Sequence, residues 1–198
     1  MSTFSTHVRR AALAITLIAL SLPAAAEMSA RDIMQQVRDR NDGNNAVMDM
    51  NMALIDANGN TRRRSIRSYR RDDPQNPADT QSIMFFLSPA SVEGTAFLTY
   101  DYDESGRDDD QWLYLPALNR VRRIASSDKS ASFMGSDFTY ADMSTPNIDD
   151  YDYELMKEDE VGGHKVWQIL AVPKTDAEIA RTGYTRTVSF VRQDNFVV

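Results

Sequence analysis

Cysteine is absent from the 198 residues, and histidine occurs only at His7 and His164. Without a thiol there is no disulfide, no thiolate ligand for zinc and no lipobox cysteine to acylate. His164 sits beside Gly162 and Gly163 in a turn-like stretch. One imidazole in that setting leaves no parts for a Ser/His or Cys/His catalytic pair or a histidine-rich zinc site. Long apolar runs are missing too. The longest, Ala11–Leu22, has 12 residues, whereas a bilayer-spanning helix needs about 20.

That short run is framed by Arg9 and Arg10 before it and by Pro23, Ala24, Ala25 and Ala26 after it. This order is that of a secretory signal with an A-x-A cleavage site before Glu27. The expectation is a signal peptide at 1–26 and a soluble periplasmic domain at 27–198. Removing the signal leaves 20 basic and 29 acidic side chains, a net charge of −9. Such a chain is repelled by phosphate backbones and anionic membranes, so nucleic acid is not an expected partner.

Ser29 is placed to cap a helix over 30–40, with Ile33, Met34 and Val37 at helical spacing. The period then falls to two: Met48, Met50, Met52 and Leu54 alternate with Val47, Asp49, Asn51 and Ala53, which predicts a strand with one apolar face. Further strands are expected at 61–69, 81–87, 95–102, 111–115, 120–124, 151–157, 165–172 and 184–192. The seven-residue link between the strands at 81–87 and 95–102 is too short for a parallel crossover, so the pairing is read as antiparallel. Residues 125–142 read as a long structured loop. Thr175 with Glu178 predicts a short helix near 175–181. Phe196–Val198 reads as the start of a strand cut short, so the chain is expected to be truncated at its C-terminus.

Asp101, Asp103, Ser105 and Gly106 match the first half of a calcium loop, but its twelfth position is Trp112 where a bidentate Glu is required. A polar hairpin loop explains the stretch better, and no metal or cofactor is expected. The acidic clusters at 108–110 and 149–152 read as solvated faces. The methionine stripe offers an unbranched, polarizable surface that repacks around flexible apolar ligands, although ordinary core packing explains it as well. Trp112 and Tyr114 alternate with Leu113 and Leu115, so this strand is apolar on both faces and needs cover on each.

The segments FFLSPASVEGTAFLTYDY (85–102) and DDQWLYLPALNRVRRIASSDKSASFMGSDFTYADM (109–143) resemble the LolA-like superfamily of outer-membrane lipoprotein-sorting proteins. Within it they are similar to an uncharacterised branch associated with exporters of the resistance-nodulation-division type. The resemblance implies a mainly β (α+β) fold: a curved antiparallel sheet forming an incomplete half-barrel, plugged by helices and enclosing an apolar cavity for acyl chains. It also implies non-covalent binding without catalysis. Alternation and apolarity nominate Met48, Met50, Met52, Phe85, Phe97, Trp112, Tyr114 and Phe133 for the lining. Arg120, Arg122 and Arg123 are candidates for contact with a headgroup or partner. The expected function is carriage of lipid or lipoprotein acyl chains to or from a membrane partner. The alternative is a non-catalytic accessory subunit of such an exporter that binds protein, and an enzyme would need two facing carboxylates for which the sequence has no evident pair.

Overall fold

The computed structural model describes residues 27–104 and 106–198. The expected signal peptide at 1–26 lies outside the described residues. Helix α1 (Ala30–Asp39) begins with a full capping box: Ser29 Oγ accepts from the Asp32 amide at 3.1 Å, and the Asp32 carboxylate accepts from the Ser29 amide at 3.3 Å. Strands β1 (Asn45–Ile55), β2 (Thr61–Asp72), β3 (Thr80–Ser88), β4 (Ala96–Asp101), β5 (Asp110–Leu115) and β6 (Arg120–Ile124) follow. They form one antiparallel sheet in sequence order, β1 to β6. Short links dictate this meander, because each strand has reach only to its predecessor.

A second antiparallel sheet contains β7 (Tyr151–Val161), β8 (His164–Pro173) and β9 (Thr187–Arg192), with helix α2 (Asp176–Thr182) between the last two. Neither sheet closes into a barrel, so the architecture is mainly antiparallel β with two helices, an incomplete half-barrel. Thr175 Oγ1 caps α2 by accepting from the Glu178 amide at 3.1 Å. Glu178 does not reach back; it accepts from the Tyr151 hydroxyl at 2.5 Å and from Arg181. Gly183 ends the helix at φ 83°, a conformation a side chain would strain.

Two apolar cores result. One face of the larger sheet contributes Ile66, Phe86, Phe97, Leu113 and Ile124, which are covered by Phe133 and Tyr140 from the connection between β6 and β7. This connection, expected as a loop, is organised by four 3-10 turns, at 126–128, 133–135, 141–143 and 148–150. In the other core α1 lays Ala30 and Ile33 against Ile169 and Val191 of the smaller sheet. Phe196–Val198 is not a strand: Phe196 takes φ 56° and stacks on Trp167 at 5.8 Å, while its amide donates to the Arg192 carbonyl at 3.0 Å. A turn that satisfies these backbone groups locally removes the need for a sheet partner.

Lys129 is wholly buried. Its ammonium pairs with Asp108 and donates to the Asp109 carbonyl at 2.8 Å. Removing the carboxylate strands a buried charge, whereas removing the charge leaves only a carboxylate that is one-third exposed. Asp108→Ala is therefore expected to cost roughly 2 kcal/mol or more, discounted from the 3–5 of a fully buried pair, and Lys129→Met less than about 1. Urea midpoints of the two variants check this asymmetry, and equal losses would contradict it.

Candidate functional site

Strand register sorts every side chain of the larger sheet onto one of two faces. Met50 lies opposite Ile66, which lies opposite Phe86, while Met48, Ser68, Met84, Phe97 and Leu113 form the next rung. The connection between β6 and β7 roofs this inner face. Between roof and floor lies a half-open cavity of about 620 Å³. Met50, Met52, Ile66 and Met84 form its apolar floor, and Phe133, Phe138 and Met143 come from the roof. The Arg64 guanidinium, beside Met52 in register, donates to the Met134 carbonyl at 2.7 Å and so fastens the roof to β2.

The nominated residues divide accordingly. Met50, Met52 and Phe133 line the cavity. Phe97 is buried on the same face, in edge contact with Phe133 at 5.1 Å. Met48 shares that face but lies outside the lining and is more than half exposed. Phe85, Trp112 and Tyr114 are a correction: they occupy the opposite face. There Phe85 meets Tyr69 edge-on at 6.2 Å, Trp112 meets Tyr100 at 5.4 Å, and the Tyr114 hydroxyl donates to Asn119 at 3.2 Å. A strand apolar on both sides does not reveal which side will be roofed, and here Leu113 and Leu115 face inward.

Arg120, Arg122 and Arg123 also separate. Arg120 and Arg122 are on the inner face, across from Leu115 and Leu113, and Arg123 is on the outer face. Arg122 pairs with Asp128 at 2.7 Å and Arg123 with Asp110, and none of the three enters the cavity. Sequence reading missed Ile66, Met84, Phe138 and Met143. The first two follow from pairing with the methionine strand; the last two had no periodic signal, because they belong to turns.

The cavity grades from apolar to polar along the strands. Beyond Met84 come Arg70, Ser82 and Thr99, then Thr80 and Asp101, with Asp142 and Ser144 from the roof. Arg70 is held by Asp42 at 3.0 Å, Asp72 at 3.7 Å and the Gly43 carbonyl at 2.7 Å. Asp101 accepts from the Thr145 amide at 2.7 Å. Its pKa is pushed up to about 6, first by burial and then by the charge of Asp109.

A carboxyl with a raised folded-state pKa stabilises the fold when protonated, and that contribution disappears as pH rises through about 6. Asp101→Asn is thus expected to stabilise the protein at pH 7 by roughly 1–3 kcal/mol. The gap should close as pH falls from about 6 to about 4, where the wild-type carboxyl is itself neutral. Thermal melts across this range test it, and a gap independent of pH would refute the assignment.

The stretch read against a calcium loop joins β4 to β5, two strands and not two helices. Asp103 pairs with Arg38. No group of side chains suited to a metal ion occurs among the described residues. No helix among them is long and apolar enough to cross a membrane.

A family model described as an uncharacterised protein matches residues 78–198. A DUF1329 family protein from Desulfovibrio piger is 32% identical and superposes with a TM-score of 0.76, over 85% of this chain and 69% of its own. The chain belongs to the DUF1329 family. A putative outer membrane lipoprotein-sorting protein domain from Vibrio parahaemolyticus is also 32% identical, with a TM-score of 0.72 over 84% of this chain and 68% of its own. A LolA superfamily protein from Nitrosomonas europaea, 18% identical, shares the fold at a TM-score of 0.50 over 85% and 68% of the two chains. No curated protein matches. This DUF1329 chain therefore shares the fold of the lipoprotein-sorting and LolA-superfamily structures, the family that its sequence resembles.

Proposed function

We propose that the protein is a periplasmic carrier that takes acyl chains of a lipid or lipoprotein into the inner-face cavity and passes them to or from a membrane partner, without catalysis. The observation that carries this reading is the roofed cavity, floored by three methionines, Met50, Met52 and Met84, on a sheet with the lipoprotein-sorting fold. Methionine side chains conform to a flexible chain where branched ones would impose one shape. Each methylene withdrawn from water contributes about 0.8 kcal/mol, so a long chain supplies enough to offset the cost of ordering both partners.

The test is native mass spectrometry, with lipid extraction, of protein purified from the periplasm. Stoichiometric phospholipid or lipoprotein supports the carrier and identifies its cargo. A folded, empty protein that also takes up no acyl chain in vitro would end this reading.

One observation favours a second reading, an accessory subunit of a resistance-nodulation-division exporter that binds protein. The outer face carries a rung of apolar side chains in register, Val47, Tyr69, Ile83, Leu98 and Trp112, with Val47 and Tyr69 exposed. Exposed apolar surface of this kind marks interaction sites.

A further inference from the structure

At the polar end of the cavity the lining residue Thr99 has a hydrogen-bonding group that the fold leaves unused, and so does its cross-strand neighbour Gln111, outside the lining. Thr99 and Gln111 are cross-strand neighbours on the inner face, 1% and 0% exposed. Thr99 Oγ1 and Gln111 Oε1 find no hydrogen-bond partner among the described residues. The Gln111 amide is oriented unambiguously, because its Nε2 donates to the Tyr140 carbonyl at 2.9 Å and to Ser144 Oγ at 3.2 Å. What it leaves free is thus an acceptor. Buried polar atoms in this state cost free energy, and each calls for an explanation.

Charge points the same way. Arg70 is the one cation among the described lining residues, and Asp42 and Asp72 offset it. Asp101 and Asp142 remain on the wall. Asp142 accepts from the Thr139 amide at 2.7 Å and the Tyr184 hydroxyl at 2.9 Å, and Asp101 from the Thr145 amide, so both hold neutral donors. The nearby Arg38 is paired with Asp103. The wall is therefore net negative and rich in acceptors.

We propose that the cavity selects an apolar chain whose polar end is a neutral or cationic hydrogen-bond donor, a hydroxyl or an amine, and disfavours carboxylate and phosphate ends. This rests on the carrier reading: the chain lies over Met50 and Met84 while its donor reaches Thr99. A terminal hydroxyl or amine donates to the Thr99 oxygen; the Thr99 hydroxyl also has a proton to give, so it is Asp101 and Asp142, as like charges, that turn an anionic end away.

Displacement of the neutral dye N-phenyl-1-naphthylamine by four ligands of one chain length separates these effects. The ligands are 1-hexadecanol, hexadecylamine, 1-chlorohexadecane and hexadecanoate. The alcohol and amine are expected to displace the dye at about tenfold lower concentration than the chloride and the carboxylate, as befits one buried hydrogen bond. Thr99→Val should remove the preference over the chloride while hexadecanoate stays disfavoured by Asp101 and Asp142, and Thr99→Ser should keep both differences. Equal displacement by all four would overturn the proposal and leave the carrier reading standing. Tightest binding of hexadecanoate would overturn it in favour of Arg70 as an anion site. If the dye binds and no ligand displaces it, the carrier reading falls, and the proposal with it.

Discussion

Phe133→Ala is expected to cost roughly 3–5 kcal/mol, the range for truncating a fully buried aromatic ring. Phe133 has no exposed surface and is the hub of an aromatic cluster, with ring centroids 5.1 Å from Phe97, 5.6 Å from Tyr140 and 6.1 Å from Phe86. Those three neighbours come from two strands and the roof itself, so they cannot all collapse into the space vacated. A loss of this size is a large fraction of the 5–15 kcal/mol typical of a single domain. Urea denaturation monitored by tryptophan fluorescence measures it, with the dependence on denaturant unchanged if the whole domain still unfolds as one unit. A cost below about 1 kcal/mol would mean that the roof packs far less tightly on the sheet than its aromatic contacts imply.

The second large effect concerns binding. Met50→Asp is expected to weaken acyl-chain uptake by a hundredfold or more, because a chain lying over that position must strip water from a carboxylate and give it no partner. Val47→Asp is the matched control. Val47 lies three residues away on the same strand but on the outer face, where it is already 68% exposed, so uptake should be unaltered. Dye displacement on both variants, after circular dichroism has established that each is folded, gives the comparison. Unchanged uptake by folded Met50→Asp would remove this face from the binding surface. Loss of uptake in Val47→Asp would move the site to the outer face.

These variants also bear on the two functional readings. An accessory subunit that docks through the outer rung needs Val47 and Tyr69 and not Met50, and the carrier needs the reverse.

Much of the fold was legible from local pattern. The capped helix at Ser29, the methionine strand with period two, the short links that force antiparallel neighbours and the cap at Thr175 all follow from interactions spanning a few residues. They reappear as α1, β1, the meander and α2. Alternation made the candidate site legible on β1, where one face is apolar and the other carries Asp49 and Asn51, and apolarity alone picked out Phe133 of the roof and Phe97 of β4. On β3 and β5 both faces are apolar, and alternation alone could not tell Met84 from Phe85 or Leu113 from Trp112.

The sequence by itself determined helices α1 and α2, strands β1 to β9 and their order, though not the 3-10 turns of the roof or the turn at Phe196, because caps and strand periodicity are short-range and each is written in a handful of neighbouring residues. Only the tertiary structure decided which face of the sheet is roofed, because that depends on where the connection at 125–150 folds back and on a register carried across six strands. The same long-range step seats Phe133 over Phe97, buries Lys129 against Asp108, and brings Asp101 and Asp142, 41 positions apart, to one wall of the cavity.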